Sequence, residues 1–209
     1  MILEEQRPDT AAITRAAEEF RRHNGTMRMS DAVRAGIHRR TLYAMRDSGR
    51  VEALARGLYR LTDAEPLSDR DLVTVAMKVP RGVVYLISAL SFHEMTTQIP
   101  HDICIAVPRN DEPPRVAAPP VRAIRLSPKP YGAGIETHII DGVPVKVYSR
   151  EKTLADCFQH RYFVGMDVII EAIECYRDQN RYDVDAIHRY AAICRVSKLA
   201  RPYLEALLK

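Results

Sequence analysis

The side chains best equipped for chemistry in this sequence are arginines, and they are grouped. Between Arg28 and Arg60, eight arginines stand against Asp31, Asp47 and Glu52, a local net charge of +5 with no lysine. A guanidinium is a planar fork that meets the edge of a guanine, or a phosphate, with two parallel hydrogen bonds. The chemistry on offer is therefore grip on a duplex. If a helix starts near His38, then Arg39, Arg40, Tyr43 and Ala44 share one arc, with Arg46 on the flank. Ile37, Leu42 and Met45 form the apolar side. The spacing predicts that Arg39, Arg40, Tyr43 and Ala44 face bases. Arg28, Arg46 and Arg56 are expected to hold phosphates or probe a minor groove.

Such a helix must be held by neighbours, and the flanking residues supply them. Ser30 is placed to cap a short helix over 30–35, and Gly36 provides a tight turn. The second helix is predicted from His38 to Ser48, closed by Gly49. Val51 to Ala55 and Leu58 to Leu61 are apolar runs separated by Arg56-Gly57, which is hairpin spacing. Upstream, Asp9 or Thr10 caps a helix ending near His23, in which Ile13, Ala16, Ala17 and Phe20 repeat at helical spacing. Asn24-Gly25 stops it. These elements predict a winged helix-turn-helix over residues 1–63. The alternative for the same residues is an arginine-rich, solvated helical hairpin that binds no DNA.

The remainder is larger and of different character. Of the 209 residues, 1–62 carry twelve arginines and eight acids, whereas 63–209 carry nineteen charges of each sign. The whole excess of +4 lies in the N-terminal part, as expected if only that part meets a polyanion. The polar, proline-containing run TDAEPLS (62–68) marks the expected boundary. Residues 64–209 then read as mixed α/β, a small sheet with several helices, which makes the fold class of the chain α+β. A helix is expected over 69–79, and a second through LISALSFHEM (86–95). Strands are expected at 103–107 and 121–126, within a stretch whose prolines favour extended loop. Ile135 to Ile140 and Val143 to Tyr148 flank Asp141-Gly142, a hairpin signal. Ser149 caps a helix in which Lys152 and Asp156 are spaced to pair on the surface. Three further helices are striped by Val168, Ile169, Ala172, Ile173 and Tyr176, by Val184, Ile187, Ala191 and Cys194, and by Leu204, Leu207 and Leu208. Pro202 is expected in the first turn of the last one.

Catalytic and metal patterns are weak. No Asp-x-Lys or Glu-x-Lys triplet accompanies Asp102 and Asp141, which speaks against a metal-dependent nuclease. His93, His101, Asp102 and His138 match no local ligand spacing. Ser88 and His93 point apart on a helix. No glycine-rich phosphate loop occurs. Cys104, Cys157, Cys175 and Cys194 form no C-x-x-C pair and read as reduced thiols of a cytoplasmic protein. No apolar run approaches the ~18 residues of a membrane span, and MILEEQRPDT has no signal-peptide core. Neither cofactor, metal, catalysis nor membrane association is expected.

Four segments resemble the AbiEi-type antitoxins, the regulator half of type IV toxin–antitoxin systems. They are RGLYRL (56–61), SAL with His93 (88–93), TTQIP (96–100) and YSREKTLADCF (148–158). The resemblance spans nearly the whole chain, although His38 departs from the serine or threonine expected as cap of the recognition helix. It implies a DNA-binding autorepressor that reads inverted repeats in the promoter of its own operon. It also implies an antitoxin domain counteracting a nucleotidyltransferase-like toxin without forming a stable complex with it. Apart from the resemblance, Lys152 and Asp156 read most simply as a helix surface pair, with contact to a partner as the lesser alternative. The rival functions are a winged helix that binds protein and, more remotely, the nuclease.

Overall fold

The computed structural model describes residues 10–179 and 183–207. The chain divides into two compact units, Met1–Met77 with Ile140–Val143, and Lys78–Ile139 with Pro144–Lys209.

In the first unit the order is α1 (Thr10–Arg22), β1 (Thr26–Arg28), α2 (Met29–Arg34), α3 (Arg39–Asp47), β2 (Val51–Ala55) and β3 (Leu58–Leu61). The three strands form an antiparallel sheet of order β1-β3-β2. This is the element order of a winged helix. Ala16, Ala17, Phe20, Met27, Ala32, Ile37, Leu42, Met45, Val51, Tyr59 and Leu61 close one core. Burying a side chain such as Phe20 contributes about 1.5–3 kcal/mol. The strand Thr26–Arg28 has no counterpart in the sequence reading, and it changes the start of α2. The cap position belongs to Arg28, not Ser30, and no side chain caps it. The chain leaves β1 in an extended conformation, and the Met29 N–H is satisfied by the Gly57 carbonyl at 2.9 Å. Ser30 turns outward and its hydroxyl donates to Asp31 at 3.4 Å. Asp9, the other suggested cap of α1, lies outside the described residues.

After α4 (Arg70–Lys78), which the Asp69 carboxylate caps through the Leu72 N–H, the second unit begins. It contains β4 (Val83–Val84), α5 (Leu86–Phe92), β5 (Ile103–Pro108), β6 (Val121–Leu126), α6 (Pro128–Gly132), β7 (Ile135–Ile140) and β8 (Val143–Tyr148). The helices α7 (Arg150–Gln159), α8 (Arg161–Val164), α9 (Met166–Asp178), α10 (Val184–Ile193) and α11 (Ser197–Leu207) follow. The sheet has the order β6-β5-β4-β8-β7 and is mixed, with β5 parallel to β6, β4 parallel to β8, and β4 antiparallel to β5. The class is therefore α+β, with one small sheet in each unit.

Three features depart from the sequence reading. Pro128 and Pro130 start a short helix rather than extended loop, because proline is pre-set for the first helical positions. The four-residue α8 has no periodicity long enough to read. Pro202 lies inside α11, which begins five residues earlier at Ser197; the ring faces solvent and the helix carries on through it. Leu204 is buried as expected, while Leu208 lies outside the described residues.

Candidate nucleic-acid interface

The helix α3 is built to show one face and hide the other. Ile37, Thr41, Leu42 and Met45 are buried. Arg39, Arg40 and Arg46 are exposed, Tyr43 keeps 41% of its surface, and Ala44 is half-buried. The turn before the helix is made by Gly36, whose φ of +88° suits glycine. The departure at position 38 has a structural answer. His38 occupies the N-cap with extended backbone, and its Nδ1 accepts the Arg40 N–H at 3.2 Å. A neutral imidazole thus does the work expected of a serine hydroxyl. The signal was a residue with a side-chain acceptor directly before Arg39-Arg40. At the other end Ser48 and Gly49, with φ of +71°, close the helix.

The arginines are not equivalent. Arg39 and Arg40 carry no side-chain ion pair among the described residues. Arg46 donates to Asp47 at 2.8 and 2.9 Å and lies 5.1 Å from the centre of the Tyr43 ring. The Asp47 carboxylate raises its pKa above the ordinary value. Arg28 is half-buried at the end of β1, and Arg56 is exposed at the hairpin tip beside Gly57, whose φ is +71°. Arg34 pairs with Asp31 at 3.4 Å. Arg60 leaves the set altogether. It is 5% exposed, donating from one nitrogen to Thr26 Oγ1 at 3.0 Å and from the other to the Glu65 carbonyl. Its strand, β3, is the middle one of three and is covered on both faces. The local excess of +5 therefore overstates the charge a duplex would meet by this one guanidinium.

The second unit places the other candidates. Lys152 and Asp156 are not a surface pair, and the expected partner contact fails on this point. Both side chains are fully buried. Lys152 Nζ donates to both carboxylate oxygens, at 2.6 and 2.5 Å, and sits 4.4 Å from the Tyr148 ring centre. Cys194 Sγ donates to the same carboxylate at 3.2 Å. Burial pushes the Asp156 carboxyl up, opposed by the Lys152 ammonium, and pushes the Cys104 and Cys194 thiols up to about 12. All four cysteines are free. The spacing of the pair was read correctly; its surroundings were not, because α7 is enclosed by α5, α8, α9, α10 and α11.

His93 and His138 lie with ring centres 6.2 Å apart, each in a structural role. His93 Nε2 meets the Tyr148 carbonyl at 2.7 Å, and burial lowers its pKa. His138 pairs with Glu136 at 3.2 Å, and Asp102 accepts from Arg122 at 2.9 Å. Ser88 Oγ accepts the Cys104 N–H at 2.9 Å. Among the described residues no three metal-ligating side chains come together, and no helix is long and apolar enough to cross a membrane.

Residues 15–62 match the family model described as "Transcriptional regulator, AbiEi antitoxin". The match runs from within α1 through the hairpin, the region holding the arginine face. The crystal structure of the RV2827C protein from Mycobacterium tuberculosis is similar in fold, with a TM-score of 0.61 at 14% identity over 97% of this chain and 82% of that chain. No curated protein matches the chain.

Proposed function

We propose that residues 1–63 form a DNA-binding domain that inserts α3 into a major groove, and that the chain represses transcription from its own promoter by reading inverted repeats there. Residues 64–209 act as the antitoxin, counteracting a nucleotidyltransferase-like toxin. The observation that carries the first half is the face of α3. Arg39, Arg40, Tyr43 and Ala44 stand clear of the core, on a helix whose start is fixed by His38. The N-terminal residues of such a helix are those that reach base edges. The antitoxin half draws its support from the family description that residues 15–62 match.

In this reading Arg39 and Arg40 read bases, Arg46 reaches a phosphate from the flank, Arg56 meets a phosphate or minor groove at the wing, and Arg28 steadies the backbone. Mobility shifts on promoter and random duplexes test it. Arg40→Ala should cost about 1–3 kcal/mol of discrimination at one base pair. Arg56→Ala should weaken all duplexes alike and flatten the slope of log affinity against log salt by about 1. Wild-type affinity in Arg40→Ala, or binding with no salt dependence, would turn the assignment toward a winged helix that docks on protein.

A further inference from the structure

The start of α3 hangs on a lone pair that a proton can take. In the 3.2 Å bond between Arg40 and His38 the backbone N–H is the donor, so Nδ1 must accept, and the ring is the neutral Nε2–H tautomer. The first N–H groups of a helix have no partner within it, and here the side chain supplies one. A serine or threonine hydroxyl in that place keeps its acceptor across the whole range in which proteins fold. An imidazole does not. Histidine is the side chain whose charge ordinarily changes between about pH 5 and 8, and its cation carries a donor on both nitrogens.

The surrounding charges do not make good that loss. His38 is exposed and shares one hollow with Arg15, Glu18, Glu19 and Arg22 of α1. Two cations and two anions offset each other there, and Glu19 is already engaged by Arg22 at 3.1 Å and by His23 at 3.5 Å. On α2, Asp31 and Arg34 pair with one another at 3.4 Å, and the turn brings only the uncharged Ala35 and Gly36 to the hollow. On α3 itself Arg39 and Arg40 follow directly. An imidazolium here would stand beside two guanidiniums and at the positive end of the helix dipole. Whatever Glu18 gives such a cation, it cannot restore an acceptor at Nδ1. Protonation therefore ends the bond to Arg40.

The residues set loose are the first two of α3, Arg39 and Arg40, to which the DNA-binding reading gives the bases. The remainder of the helix is held by the burial of Thr41, Leu42 and Met45. A frayed first turn must be ordered again on binding, at a cost in affinity. That cost falls on base contacts. An added positive charge, by contrast, strengthens the grip on every duplex alike. The effect of acid thus lies in discrimination between sequences rather than in affinity as such. We infer that His38 is a proton-sensitive catch on the reading helix: acidification frees the first turn of α3 and lowers the preference for the promoter over other duplexes. This regulation rests on the DNA-binding reading of the same face.

The test compares the full wild-type chain with His38→Ser, which keeps an acceptor at the cap without a titrating ring. Promoter and random duplexes are titrated by fluorescence anisotropy at about pH 7.5 and about pH 5.5, on either side of the ordinary histidine range. On acidification the ratio of the two affinities should fall about three- to fivefold in wild type, the scale of one lost cap, and hold in His38→Ser. His23, the other histidine of the first unit, is common to both proteins. Without DNA, the Arg40 amide resonance should move over the same range in wild type and stay in place in His38→Ser. A constant wild-type ratio, while Arg40→Ala still loses discrimination, overturns the catch and leaves the DNA reading standing. An equal fall in both proteins does the same. Discrimination that rises in acid gives His38 a direct contact with the duplex instead, and also overturns the catch. If no variant prefers the promoter at either pH, the DNA reading itself has failed, and the regulation falls with it.

Discussion

The helices α3 and α7 are nearly the same length, nine and ten residues, and each is begun by a side-chain cap, His38 in one and Ser149 in the other. Their polar residues meet opposite fates. On α3 the buried residues occupy one side and the arginines are left outside. On α7 every residue from Lys152 to Phe158 is buried, so a lysine and an aspartate must satisfy each other. The difference is one of neighbours. α3 packs against α1 and the hairpin, whereas α7 is surrounded by five helices. Charged side chains on a helix thus become an exposed face or an internal clasp according to how many elements crowd around it. The pattern along the helix alone does not decide.

Breaking the clasp should give the largest effect. Asp156→Ala leaves the Lys152 ammonium buried without its partner and should destabilise the protein by about 3–5 kcal/mol in denaturant unfolding. The double variant Lys152→Met with Asp156→Leu should recover most of that loss. Equal stability of Asp156→Ala and wild type would mean that the lysine escapes to water, and the contrast between the helices would vanish. The caps sharpen the comparison at smaller scale. His38→Ala should cost about 1 kcal/mol of stability, and His38→Ser should restore it, because both side chains of the productive pair offer an acceptor to the Arg40 N–H. A pair of variants with identical melting would remove the capping role.

The smallest effect concerns Glu171, a carboxylate that stays near the surface yet is fully engaged. Its pKa is lowered by the hydrogen bonds from Thr97. A lowered carboxyl stabilises the fold above the unfolded value of about 4.3, and that stabilisation is lost as pH falls through the lower folded value. The protection of the Thr97 amide against hydrogen exchange, taken relative to the intrinsic rate at each pH, should therefore fall as the solution is acidified through this range, and Glu171→Gln should show no such fall.

The contrast also shows what could be read from the chain. The hairpin at Arg56-Gly57, the turn at Gly36 and the Asp141-Gly142 hairpin are local, set by backbone preferences within a few residues, and each falls where the sequence places it. The strand Thr26–Arg28 was not readable, because three residues acquire strand character only by pairing with β3, more than thirty positions away. Arg60 is a similar case. Its charge suggested a surface, but its place in the central strand turned it inward to Thr26. For the candidate site, the alternation of arginine and apolar residues on α3 was visible in the spacing, and the capping imidazole was not.

The bond from the Met29 N–H to the Gly57 carbonyl has a consequence beyond starting a helix. It fastens the turn of the hairpin to the first residue of α2, so that wing and helix pair share a single hinge pin. A residue inserted between Ala55 and Leu58 would shift that pin and turn the wing relative to the arginine face of α3, even with every arginine intact. Lengthening this hairpin should therefore be far harder to tolerate than changing the residues at its tip.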